Sequence, residues 1–332
     1  MKRFHCQCGQ RVFFENTSCG VCQRSLGFDP ISREMVAFDP TSSEVTSPAG
    51  EALSPCRNWT DHHICNWLVP IGDPTPYCAG CRLNATVPNL SAPGTLLLWK
   101  RLETAKRRML YGVMGLNLGL PIKSNELKFH FLQDQRTNPW VVEPHVLTGY
   151  SAGEITINVA EADDVQRESS RLEFFENYRT LLGHFRHESG HFFWPRVVNT
   201  EEALSEFRQL FGDERADYPG ALTAYHASGP PAGWEASFVS AYASAHPHED
   251  WAESWAHYLH ITDSIETAAA NGMVWSPESD EWLKQWMDLS VALNEMNRSM
   301  GMADAYPFVL LQPVQEKLRF IHRRVEASRQ NI

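Results

Sequence analysis

The chemistry of this chain concentrates in one pentapeptide, His187-Glu188-Ser189-Gly190-His191. Two imidazoles four residues apart on a helix share a face and can reach one metal ion. The glutamate after the first histidine then sits beside the ion, placed to take a proton from water that the ion activates. The surrounding stretch RTLLGHFRHESGHFFW, 179–194, reads as helix. A third protein ligand sets the subclass of such a site. Continuing along the same helix would need Gly at 194 and His at 197. Those positions hold Trp194 and Val197. A later helix offers carboxylates instead. In AYASAHPHEDWAESWAHYLH, 241–260, Glu249 and Glu253 lie four apart with Asp250 beside them. One of the pair can bind the ion while the other accepts a hydrogen bond from a ligand histidine and sets its tautomer. Pro247 suits a helix start, and acids there complement the dipole.

All eight cysteines fall in the first 81 of 332 positions. They form two groups, Cys6, Cys8, Cys19 and Cys22, then Cys56, Cys65, Cys78 and Cys81. Each group ends in a C-x-x-C turn that points two thiolates at one ion, and four thiolates close a tetrahedral structural zinc site. Grouping by sequence predicts two structural zinc ions besides a catalytic one; a crossed pairing is the alternative. The N-terminus has no apolar segment of the secretory kind, so a cytoplasmic chain is expected, where disulfides are rare. So small a region is expected to draw most of its folding free energy from metal rather than from a core.

The elements that must position these groups follow from composition and periodicity. Apolar residues make up 43% and charged residues 21%, as in ordinary globular chains. No apolar run is long enough for a membrane span. There are 29 basic and 40 acidic residues, net −11, and neither part of the chain is basic, so nucleic acid is not an expected partner. Lys100, Arg101, Lys106, Arg107 and Arg108 read as a solvated helix face. Residues 1–92 form a zinc-ribbon region with a linker at 28–55, and 93–332 form a second domain. Helices are expected at 96–115, 164–194, 201–211, 215–226, 248–260, 279–297 and 312–328. Leu172, Phe175, Leu182, Phe185 and Phe192 make the apolar stripe of the second. Strands are expected at 127–132 and 154–159. Strands first and helices later predict an α+β fold, mostly helical with a small sheet. GEITIN, 153–158, is either an edge strand that pairs with an extended substrate or a plain interior strand.

The segment Glu249-Asp250-Trp251-Ala252-Glu253 resembles the second zinc motif of gluzincin metallopeptidases. The resemblance implies that Glu249 is the zinc ligand and that Glu253 braces a ligand from outside. More narrowly, FFENTSCGVC, CNWLVP, RTLLGHFRHESGH and YASAHPHEDWAESWAHYLH resemble the hallmarks of bacterial zinc-binding metallopeptidases with an N-terminal zinc ribbon. That similarity covers nearly the whole chain. It implies a zincin-like fold, zinc, Glu188 as general base and a peptide or protein substrate. In the similar anthrax lethal factor catalytic domain, a tyrosine seven residues before the ligand glutamate stabilises the oxyanion. The matching position here is Tyr242, with His246 and His248 as competitors. His184, His257 and His260 are expected to pack or brace rather than bind. Two rival readings stand beside this one. A DNA-associated SprT-like protease conflicts with the acidic charge and the Glu249 motif. A non-catalytic zinc-binding adaptor, its ribbon recruiting a protein partner, has no need of Glu188.

Overall fold

The computed structural model describes every residue except 43, 120–125, 174–177, 274–280 and 330–332. The chain forms two compact units. One comprises Lys2–Leu110 and Leu120–Ser170, the other Met1, Tyr111–Gly119 and Arg171–Ile332. The architecture is α+β, a cysteine-rich β region followed by a mostly helical part with a small sheet. Among the described residues, no helix is long and apolar enough to cross a membrane.

In the first unit, β1 (Phe4–His5) pairs antiparallel with β2 (Arg11–Val12). Another hairpin joins β3 (Ser25–Asp29) to β4 (Glu34–Phe38). A three-stranded sheet follows, with β5 (Val45–Thr46), β6 (Ala52–Pro55) and β7 (Leu68–Pro70). Between β6 and β7 lies one turn of helix, α1 (Arg57–Thr60). Residues 28–55, expected as a linker, are therefore largely strand and tight turn. The polar residues that suggested a linker make the corners. Asp29 accepts from the Ile31 and Ser32 amides and the Ser32 hydroxyl, and Asp39 accepts from the Thr41 amide and hydroxyl. The strands between corners are too short to show a period.

This region also has an apolar core, contrary to expectation. Val36, Phe38, Val45, Leu53 and Leu68 are buried together, with Trp59 packed against them. The Phe14 and Phe28 rings meet at 4.9 Å, and those of Phe28 and Trp67 at 5.1 Å. Such area removed from water stabilises the region beside whatever its metals contribute.

A four-stranded sheet has the order β10-β11-β9-β8. Its strands are β8 (Asn84–Thr86), β9 (Lys128–Leu132), β10 (Gly149–Ser151) and β11 (Glu154–Asn158). Strand β11 pairs with β10 on one side and β9 on the other, so GEITIN is an interior strand without a free edge. Helix α2 (Thr95–Gly115) contributes its residues up to Leu110 to this unit. Its expected basic face is only partly solvated. Lys106 is fully buried, 2.9 Å from Glu103 and over the rings of Phe129 and Phe131. Arg107 is buried too, donating to the Ile64 carbonyl at 2.8 Å. These two cations are held by internal partners rather than by water.

The second unit is helical. The single helix expected at 164–194 is two, α3 (Asp164–Glu173), whose residues up to Ser170 belong to the first unit, and α4 (Leu181–Val197). Thr180 is extended, and its hydroxyl accepts from the Gly183 amide, capping α4. Of the expected stripe, Phe185 and Phe192 are buried, Leu172 is exposed, and Phe175 lies outside the described residues. Then come α5 (Glu201–Phe211), α6 (Tyr218–Ser228), α7 (Pro247–Ala270), α8 (Trp282–Ser299) and α9 (Gln312–Arg329). Helix α7 is the central member. The Trp251 indole donates to the Gly190 carbonyl at 2.9 Å, and the Trp255 indole to the Ser189 hydroxyl at 3.1 Å. Both bonds tie α7 to the middle of α4.

Helix α9 is fastened to α7 by a buried ion pair. Lys317 Nζ lies 2.6 Å from Asp250 Oδ2 and also donates to the Ser237 carbonyl at 2.8 Å. Losing the cation strands a buried carboxylate beside Glu249. Lys317→Met is expected to cost about 3–5 kcal/mol in chemical denaturation. Pairing it with Asp250→Asn should recover much of that loss. A single-variant loss below about 1 kcal/mol would contradict a structural role for this pair.

Candidate metal centre

The site grows from the contact between α4 and α7. At Gly190 a β-carbon would lie 3.0 Å from the Ala252 Cα and 3.1 Å from Trp255 Cδ1. That is tighter than ordinary contact, so with any other residue the facing backbone would have to give by a few tenths of an ångström. The approach sets His187 and His191 of α4 opposite Glu249 and Glu253 of α7. Ligand atoms of His187, His191 and Glu249 all lie within 4.8 Å of one another. His187 Nε2 stands 3.0 Å from Glu249 Oε2, and His191 Nε2 stands 3.7 Å from Glu249 Oε1.

Glu253 acts on the other side of His187. Its Oε1 lies 2.6 Å from His187 Nδ1, and its Oε2 accepts from the Ser240 hydroxyl at 2.6 Å. The Nδ1 proton is thereby claimed, and Nε2 faces Glu249 Oε2 across 3.0 Å. Glu249 Oε2 is buried, with His187 Nε2 as its near neighbour. A proton or a metal ion must stand between those two atoms, and two imidazoles with one carboxylate are a zinc donor set. The residues present therefore fit the ion that the sequence suggests.

The electrostatics agree. Burial works against the charged form of His187, but Glu249 and Glu253 outweigh it and hold the imidazole well above its ordinary value. Burial, helped by the charge on His187, takes His191 down to about 4. Burial would raise Glu249, yet His187 brings it down to about 2. Glu188, also buried, is pushed up to about 7 by desolvation, with His187 opposing and Glu249 and Glu253 reinforcing. The site thus demands positive charge and holds one carboxyl of unusual basicity.

Two tyrosines border it. The Tyr242 ring, in the short turn Tyr242–Ala245, is centred 5.9 Å from His187. Tyr218 was not anticipated. Its hydroxyl donates to Glu249 Oε1 at 2.5 Å from the start of α6. Thirty-one residues separate the two, and no local spacing signals the contact. His246 is taken up in capping α7, where its ring accepts from the His248 amide at 3.1 Å. His248 packs edge-on against Trp194, with ring centroids 4.8 Å apart. His257 meets the Tyr306 hydroxyl at 2.6 Å, and His260 meets Arg186 at 2.9 Å.

Each group of four cysteines also converges, with sulfurs within 4.8 Å of one another. Cys6 and Cys22 stand 3.5 Å apart, Cys8 and Cys19 3.7 Å, and Cys65 and Cys78 3.7 Å. The edge of a zinc–thiolate tetrahedron is about 3.8 Å, from a bond of about 2.3 Å. A disulfide would be about 2.05 Å. The groups are those expected, local in sequence. The second is fully buried, whereas Cys8 of the first is exposed. Burial and the neighbouring thiols push Cys78 well above the ordinary thiol value. A bound cation would favour the thiolate and release that proton to water. Arg107 stands in this field. Burial opposes its charge, but Cys65, Glu103, Cys81 and Cys78 hold it above its ordinary value.

A family model described as "Putative zinc-binding metallo-peptidase" matches residues 95–324. The chain belongs to this family. A zinc-ribbon domain model matches residues 3–92. Uncharacterized proteins of Mycobacterium bovis and Mycobacterium tuberculosis are 40% identical over 345 residues, covering 98% of this chain and 96% of their own length. No solved structure matches the chain. The family is zinc-binding, and the three clusters are where this member can hold metal.

Two outcomes follow from the packing and the charge. Gly190→Ala is expected to move α4 from α7 by a few tenths of an ångström, and zinc affinity at the His–Glu cluster should fall at least about tenfold by competition with a chelator. An unchanged affinity would show that the close approach does not set the site. The second concerns protons. A His187 held above its ordinary value keeps its extra proton in metal-free protein. Zinc must displace that proton, so affinity should rise with pH until His187 deprotonates unaided. Titration calorimetry in buffers of different ionisation enthalpy should report the release; a buffer-independent heat would contradict it.

Proposed function

We propose that this chain is a gluzincin-type zinc hydrolase that cleaves peptide bonds. What carries the reading is the convergence of His187, His191 and Glu249 beside the buried, basic Glu188. His187, His191 and Glu249 would hold the ion. Zinc, when bound there, supplies Lewis acidity that polarises a carbonyl and acidifies water.

The protein's own groups do the rest. Glu253, fixed by Ser240, keeps the His187 ring oriented and its Nδ1 protonated. Tyr218 occupies the second electron pair of Glu249 Oε1 and steadies that carboxylate. Glu188 takes a proton from the attacking water as the oxygen bonds to the carbonyl carbon. It returns that proton to the amine nitrogen as the C–N bond breaks. Tyr242 stays protonated because burial and the nearby carboxylates push its pKa up. Its O–H can then donate to the oxygen that turns negative.

The cysteine clusters fit a structural role, giving two structural zinc ions and one catalytic. The same reading divides the chain into a zinc ribbon at 1–92 and a zincin-like peptidase domain at 93–332. The two family matches, 3–92 and 95–324, support that division.

The test is hydrolysis of a denatured-protein substrate by variants of known metal content. Glu188→Gln should keep three zinc per chain by elemental analysis and lose activity. Tyr242→Phe should keep its zinc and lose about 10²–10³ in kcat. Proteolysis retained in purified Glu188→Gln protein would sink the mechanism.

A further inference from the structure

Helix α6 has no part in a core, since none of its residues is buried. From Tyr218 to Trp234 the chain contains no Asp, Glu, Lys or Arg, although those types make up 21% of the protein. A charge-free helix exposed beside a reactive centre has the character of a contact surface. Its contacts fix its orientation. The Tyr218 hydroxyl lies 2.5 Å from Glu249 Oε1. The Tyr225 ring is centred 5.6 Å from Tyr242, which in turn borders His187 at 5.9 Å. Tyr218 and Tyr225 thus mark the face of α6 turned toward the metal-binding residues. Leu222, four residues after one and three before the other, shares that face and is half-buried.

We infer that Tyr218, Leu222 and Tyr225 form one wall of the substrate cleft, selecting polypeptides with an apolar side chain beside the scissile bond. This rests on the peptidase reading above. What covers the stripe is the molecule held at the metal centre, because the stripe is continuous with that centre. An apolar side chain laid against the wall leaves water at a gain. A Lys or Glu in the same place would be desolvated with no countercharge on α6 to meet it.

The probe is a set of internally quenched decapeptides, identical except for a central pair that is Phe-Leu, Ser-Ser, Lys-Lys or Glu-Glu. The zinc-loaded full chain should cleave the Phe-Leu peptide with a kcat/KM at least about tenfold above either charged one. Leu222→Lys should cut that activity by about 10–200-fold and abolish the preference, with zinc content unchanged. Leu222→Ser serves if the lysine variant does not fold. Ala227→Lys, with the same charge on the opposite face of α6, should leave the preference intact. Equal cleavage of apolar and charged peptides, or equal losses in Leu222→Lys and Ala227→Lys, would overturn the wall.

Binding of the labelled peptides to zinc-loaded Glu188→Gln protein separates the two readings. Hydrolysis that ignores Leu222 removes the wall and leaves the peptidase. No hydrolysis by wild type, with Phe-Leu binding that is lost in Glu188→Gln/Leu222→Ser, removes the peptidase and leaves the wall. Neither hydrolysis nor binding removes both.

Discussion

The close approach of α4 and α7 at Gly190 and Ala252 is the constraint on which the rest of this site depends. Two histidines on one helix can share an ion only if a third donor arrives from elsewhere at a fixed distance. Here that distance is a packing distance, set by a missing β-carbon and by two tryptophan indoles bonded to the facing helix. Interiors are close-packed and yield little, so a donor placed by packing is placed firmly. Ser189 and Gly190, the two variable positions of the histidine motif, are themselves the points of attachment. The motif therefore carries both histidines and the surface that docks their partner helix.

The first turns of α7 divide their acidic groups among separate tasks. Glu249 faces the two histidines, Glu253 orients one of them from behind, and Asp250 turns away to fasten α9 through Lys317. Glu249 and Asp250 are buried and Glu253 is half-buried, and each has a cation or a polar donor against it. Burying so much negative charge would be unfavourable without such partners, and the same field makes the cluster receptive to a divalent ion. The raised basicity of Glu188 comes first from its burial, and that field adds to it. Glu249 and Glu253 disfavour the charged form of Glu188 beside them.

What could be read along the chain was whatever helical spacing encodes locally. His187 with His191 and Glu249 with Glu253 are four apart, and a helix turns both pairs into neighbours. The sulfur groups were legible for a similar reason, because each closes through a local turn. Tyr218 and Lys317 were not legible. Tyr218 lies 31 residues from the glutamate it touches and Lys317 lies 67 from its aspartate, so only tertiary packing joins them. The start of α4 hid because a single side-chain cap, that of Thr180, marks it. The hairpins within 28–55 hid because strands of two to five residues give too few alternations to count. Lys106 and Arg107 misled because charge alone does not tell a solvated face from a buried ion pair.

The central claim is that packing places two helices' side chains around one ion. Anomalous scattering at the zinc edge, recorded from crystals of the metal-loaded chain, tests it most directly. The account predicts a peak bonded to His187 Nε2, His191 Nε2 and a Glu249 oxygen at about 2.0–2.2 Å, with Glu253 still on His187 Nδ1. A peak held by other residues, or none there while the cysteine sites are filled, would contradict it.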